Sequence, residues 1–131
     1  MSHKDKVTLT VPLYHCFGMV IGCLAALNYG ASIVLPSPGF DPATALESVT
    51  KYKTTLLYGV PTMFIALLNE YEKNAKKYNL SSLRSGFVAG SLCPEALMQK
   101  MCDVFAKEIT CGYGQTECSP VVTLCKHNDT V

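Results

Sequence analysis

The chain has 131 residues and a formal net charge of +1; 49% of its residues are hydrophobic and only 16% charged, against roughly 25% charged in an average soluble domain. That length holds one domain or a slice of a larger one, and a small charge with no stripe of lysines gives nucleic acid no footing as a partner. The seven cysteines are odd in number and include no Cys-x-x-Cys, which speaks against a disulfide framework or a zinc site and for a reducing, intracellular location, mitochondrial or cytoplasmic.

In chain order, Val7 to Val11 reads as a strand stopped by Pro12, and Phe17 to Tyr29 as a helix apolar almost all round, hence buried, with Gly30 ending it. Ala31 to Leu35 is a β-branched strand closed by the Pro36 to Gly39 turn. No formally charged residue lies between Lys6 and Asp41, a stretch long enough to span a membrane. Pro12, the Asn28-Tyr29-Gly30 turn and the proline cluster break it, so a buried helix followed by a buried strand accounts for it better, and no transmembrane segment or cleavable signal is expected. Asp41-Pro42 opens a helix to about Tyr52 by capping it and pre-setting its first turn.

Thr54 to Tyr58 follows as a strand. Pro61 opens a helix with Phe64, Leu67, Leu68 and Tyr71 on one face, and Glu70 to Arg84 is polar enough to be a solvated helix end and loop. Phe87 to Ala89 is a brief strand. Pro94 starts a fourth helix with Leu97, Met101, Val104 and Phe105 on one face, and Glu108 to Cys111 is the fifth strand. Alternating strands and helices with short connections predict a three-layer α/β fold: a mostly parallel sheet, buried on both sides, with helices on both faces.

In such sheets ligands bind beyond the carboxyl ends of the strands. Four strand ends therefore matter: His15, Gly59 to Thr62, Gly90-Ser91, and Gly112 to Glu117. In the last, glycines flank Tyr113, whose ring offers a flat face to a purine. Thr116 brings a hydroxyl for a phosphate oxygen, and Glu117 brings the hard oxygen that magnesium shares with phosphates. The bland alternative is an ordinary turn with a solvated glutamate. For His15 it is a half-buried histidine bonded to backbone.

Gly112-Tyr113-Gly114-Gln115-Thr116-Glu117 resembles the fifth core motif (Tyr-Gly-x-Thr-Glu) of the adenylate-forming superfamily, which includes acyl-CoA synthetases, luciferases and peptide-synthetase adenylation domains. Three further segments resemble that family's in order and spacing. Val11-Pro12-Leu13-Tyr14-His15 is similar to its fourth motif, and Gly59-Val60-Pro61-Thr62-Met63 to its Val-Pro-Thr segment. Leu83 to Pro94 is similar to its Ser-Gly-Gly-Ala-Pro-Leu segment, with Ala89 for the first glycine and Ser91-Leu92 for Ala-Pro. The nearest branch by resemblance is the medium-chain acyl-CoA synthetases.

The resemblance implies a central part of the large N-terminal domain of such an enzyme, spanning 1–131. It implies an acid–thiol ligase that activates a fatty acid with ATP as an acyl-adenylate and passes it to coenzyme A. Catalytic positions carried over are Thr116, Glu117 and His15. Gly90, Ser91, Gly112, Tyr113, Gly114, Gln115 and Thr116 are implied to bind nucleotide; His15, Val60, Pro61 and Gly90 to border the acyl chain; Glu117 to hold Mg2+. ATP, Mg2+ and coenzyme A are the implied cofactor and substrates, and small molecules the partners. The family's phosphate loop, Thr-Gly-Asp aspartate, hinge arginine and C-terminal lysine have no counterpart in these residues, so the 131-residue chain is expected to be an internal fragment and inactive by itself. A truncated, non-catalytic α/β binding module and an adenylation domain serving another acceptor are the competing readings.

Overall fold

The computed structural model describes residues 1–125. Among these residues six strands form one sheet in the order β2-β1-β3-β4-β5-β6. They are β1 (Lys6–Leu9), β2 (Ser32–Val34), β3 (Leu56–Gly59), β4 (Ser85–Val88), β5 (Glu108–Tyr113) and β6 (Thr123–Leu124). The first five are parallel, with Val7 opposite both Ile33 and Leu56, Leu57 opposite Gly86 and Val88 opposite Cys111. β6 runs antiparallel, setting Tyr113 against Thr123. The expected parallel α/β sheet is what forms; the antiparallel edge strand was not foreseen, because two residues carry too little pattern to read.

Alternation along the strands sends side chains to two cores. Leu57, Val88, Ile109 and Cys111 face a layer of three helices: α2 (Pro42–Tyr52), α3 (Pro61–Asn74) and α4 (Glu95–Val104). Asp41 caps α2, its Oδ1 accepting from Thr44 N at 2.8 Å, with Pro42 in the first turn as read from sequence. Val7, Leu9, Leu56 and Tyr58 face the opposite side. There helix α1 covers the sheet, wound as a π-helix over Phe17–Leu24 and as an α-helix over Ala25–Asn28.

Helix α1 corrects one expectation. Phe17, Gly18, Gly22 and Ala26 are buried, but Met19, Val20, Leu24 and Leu27 lie exposed. An apolar sequence states that a face wants cover; neighbours decide which face receives it. The helix lies so close to β1 and the loop after it that a Cβ at Gly18 would stand 2.2 Å from the Pro12 carbonyl oxygen, and one at Gly22 2.7 Å from Leu9 Cδ1. Strand β2 corrects another: it is the sheet edge and half exposed, where burial on both sides was expected. Gly30 does end α1 in the left-handed region, at φ +67°.

The polar stretch up to Arg84 is less solvated than it reads. Tyr78 is buried and donates its hydroxyl to Glu70, and Lys77 pairs with Glu47 at 2.6 Å. Arg84 grips Asp5 with two bonds, Nε to Oδ1 at 2.8 Å and Nη2 to Oδ2 at 2.7 Å. Thr55 Oγ1 and Ser2 N also donate to this carboxylate, which is only 3% exposed. The Arg84 guanidinium and these donors hold the Asp5 carboxyl well below the usual range, against the opposing effect of burial. Asp5→Ala is expected to lower stability by about 2 kcal/mol. That is the modest end for a broken buried pair, because the Arg84 side chain is half exposed. The wild-type contribution is complete above the ordinary carboxylate pKa of 3.8. It is lost as pH falls below that value, since the unfolded chain takes up a proton the folded chain refuses. Urea titrations of both chains at neutral and acid pH should show the two midpoints converging in acid.

Candidate functional site

At the carboxyl ends of the strands, the loops after β1, β4 and β5 close around a cleft of about 170 Å3. Its walls include His15 and Cys16 from the first loop, Gly90 from the second, and Tyr113, Gly114 and Thr116 from the third. The aromatic cluster beneath sets these heights. Phe17 meets Phe87 edge to face at 5.4 Å between ring centroids and Tyr58 at 6.3 Å, so the start of α1 is pinned to the middle of the sheet directly after His15-Cys16.

His15 Nδ1 accepts from the Phe17 backbone N–H at 3.0 Å. In the neutral ring the proton is therefore on Nε2, which makes that edge a donor. Cys16 Sγ lies 3.4 Å from Thr116 Oγ1, joining the first and last loops across 100 residues of sequence. Tyr113 is 58% exposed, leaving its ring available for stacking, and its hydroxyl accepts from Gln115 Nε2 at 2.9 Å. Thr116 opens a 3-10 turn, Thr116–Cys118, on which Glu117 is exposed.

The glycines around Tyr113 have reasons within the chain. A Cβ at Gly112 would stand 2.6 Å from the Phe87 ring, and one at Gly114 1.6 Å from the Pro120 carbonyl oxygen. Both let the strand end fold over its own neighbours, whatever else approaches.

The cleft continues into a groove of about 260 Å3 between α1 and the sheet, the two sharing Ile21 and Val121. Tyr58, Phe87, Thr110 and Leu124 border this groove. Burial pushes the Tyr58 hydroxyl up to about 12, so it stays neutral there. A larger hollow of about 500 Å3 lies beyond the β1 loop, beside Leu13, Tyr14, Leu35 and Met63; its one carboxylate, Asp41, is engaged in capping α2.

Of the residues singled out in the sequence, the structure brings together His15, Gly90, Tyr113, Gly114, Gln115 and Thr116. Val60 and Pro61 stand outside the cleft. Val60 backs Gly90, where a Cβ would meet its Cγ1 at 3.1 Å, and Pro61 is buried in the first turn of α3. Ser91 and Glu117 are exposed beyond the lining, and Gly112 lies within β5. Cys16, Ile21, Tyr58, Phe87 and Val121 were not read as site residues. Apolar residues and a lone cysteine carry no chemical signature until two loops are seen to meet over them. Among the described residues no three His, Cys, Asp or Glu side chains gather as a metal cluster, and no helix is long and apolar enough to cross a membrane.

A family model described as AMP-binding enzyme matches residues 1–131. The chain is 46% identical over 130 residues to the "Putative acyl-CoA synthetase YngI" of Bacillus subtilis, covering 98% of this chain and 23% of that protein. It is 45% identical over 121 residues to "Medium-chain acyl-CoA ligase ACSF2, mitochondrial" of Danio rerio, covering 92% and 20%. The chain thus spans about a fifth of the length of the curated relatives it matches. Among solved structures, the anthranilate CoA ligase AuaEII in complex with anthranoyl-AMP superposes with a TM-score of 0.89 at 24% identity, over 100% of this chain and 25% of that one.

Proposed function

The chain belongs to the AMP-binding enzyme family, and from that premise we propose that the full-length polypeptide carrying it is an AMP-forming acid–thiol ligase. A fatty acid of medium chain length attacks the α-phosphate of ATP, giving acyl-adenylate and releasing pyrophosphate. The thiol of coenzyme A then attacks the acyl carbon, and AMP leaves. One observation carries the reading: His15, Tyr113 and Thr116, from two distant loops, border one cleft that shares Ile21 and Val121 with the neighbouring groove. The names of the Bacillus subtilis and Danio rerio relatives support the acyl-CoA chemistry, and the latter's supports the chain length.

In this reading the exposed Tyr113 ring stacks on adenine, held from its edge by Gln115. The Thr116 hydroxyl donates to the α-phosphate, where charge builds as the bond to pyrophosphate breaks. His15 Nε2–H donates to the incoming carboxylate or to a phosphate oxygen. It need not act as a base, because a carboxylic acid with a pKa near 4 is already ionised at neutral pH. The acyl chain lies in the groove beside Ile21, Phe87 and Val121. A single exposed carboxylate suits magnesium, which keeps several waters and completes its shell with substrate phosphates. Glu117 would hold it, and when bound the ion would neutralise charge on those phosphates. The seven free cysteines support a reducing, intracellular setting.

The test is ATP–pyrophosphate exchange by the full-length polypeptide. Medium-chain fatty acids are expected to stimulate it, and coenzyme A to convert the adenylate into AMP and a thioester. Thr116→Ala is expected to slow exchange about 10- to 100-fold, the effect of losing one hydrogen bond to a charged group. Exchange that no carboxylic acid stimulates would refute the ligase reading.

A further inference from the structure

Cys16 and Thr116 meet side chain to side chain across the cleft, and either of the two can donate. Cys16 Sγ has two partners in reach, Thr116 Oγ1 at 3.4 Å and His15 Nδ1 at 3.7 Å. A ring nitrogen of histidine offers one in-plane lone pair. At His15 Nδ1 that lone pair already accepts from the Phe17 N–H at 3.0 Å, and a backbone N–H can only donate. Thr116 Oγ1 is then the partner with a lone pair free for the Cys16 S–H, and it takes that role once its own proton is committed to a phosphate, as the proposed adenylation role requires. A hydroxyl oxygen that accepts from one side turns its own proton to the other, here toward the cleft that both residues line.

We infer that Cys16 is a positioning residue for Thr116: its thiol sets the hydroxyl rotor so that the Thr116 proton points at the α-phosphate oxygen. The inference rests on the proposed adenylation role of Thr116. It also gives the loop after β1 a second task. Besides presenting His15, that loop reaches the loop after β5 through this contact. Cys16 is half-buried and sits one residue before the pinned Phe17, which fixes where its sulfur stands.

A double-mutant cycle in the full-length polypeptide tests this, read as ATP–pyrophosphate exchange with a medium-chain fatty acid. Cys16→Ala is expected to lower kcat about 3- to 10-fold, the worth of one neutral hydrogen bond, with KM for the acid unchanged. Cys16→Ser keeps a donor and is expected to fall between Cys16→Ala and wild type. In a Thr116→Ala background Cys16→Ala is expected to change nothing further, because it has no hydroxyl to orient. Equal losses in both backgrounds, or a neutral Cys16→Ala beside an impaired Thr116→Ala, would overturn the positioning role and leave the adenylation role standing. Unchanged exchange in Thr116→Ala would overturn both.

Discussion

Glu117→Ala in the full-length polypeptide is expected to slow ATP–pyrophosphate exchange by about 100-fold or more, the loss seen when one preorganised stabiliser of transition-state charge is removed. The fold gives little reason for this change to act through stability. Glu117 is exposed on the short turn after Thr116, and among the described residues its carboxylate forms no hydrogen bond or ion pair. Its proposed role, holding magnesium beside the phosphates, predicts a specific signature. The adenylation half-reaction should fail, excess Mg2+ should recover part of it, and Glu117→Asp should recover more than Glu117→Gln. Thioester formation from supplied acyl-adenylate should continue near the wild-type rate. Wild-type exchange in Glu117→Ala would remove the metal role from this residue.

Phe64→Ala is expected to have the largest effect on stability. Phe64 has no exposed surface, stands among Leu46, Leu57, Leu67 and Met101, and meets Phe105 at 5.9 Å between centroids. Truncating such a ring costs about 3–5 kcal/mol, because the cavity left behind closes only partly. Domains of this kind hold only about 5–15 kcal/mol in all. The denaturation midpoint of the 131-residue chain should therefore fall steeply with an unchanged slope. Leu92→Ala, at an 89% exposed position, should stay within about 0.5 kcal/mol of wild type. Similar losses at both positions would mean that the core between the sheet and α2 to α4 is not the one described.

Periodicity carried much of the fold. Phe64, Leu67 and Leu68 recur at helical spacing and are all buried on the sheet, and Asp41-Pro42 marks the start of α2 by local capping alone. Strand bounds drifted by one or two residues at their ends. Thr54 and Thr55 read as strand, yet Thr54 accepts from the Thr8 hydroxyl and Thr55 bonds to Asp5, and the ladder begins at Leu56. In the other direction, Ser85 and Gly86 precede the strand read at Phe87 to Ala89 but form the start of β4, with Leu56 and Leu57 alongside them.

The sequence by itself determined the alternation of strands and helices, the carboxyl-end placement of His15, Gly90 and Tyr113 to Thr116, and the family, since each rests on neighbours within a few residues. Only the tertiary structure decided which loops meet. It set Cys16 against Thr116, pinned α1 through Phe17, Tyr58 and Phe87, and locked Asp5 to Arg84 across 79 residues. It also placed Val60 and Pro61 behind the cleft and left the outer face of α1 uncovered. The reason is physical: hydrogen-bonding and apolar potential belong to a residue, but partner, burial and direction are set by the packing of segments far apart in the chain.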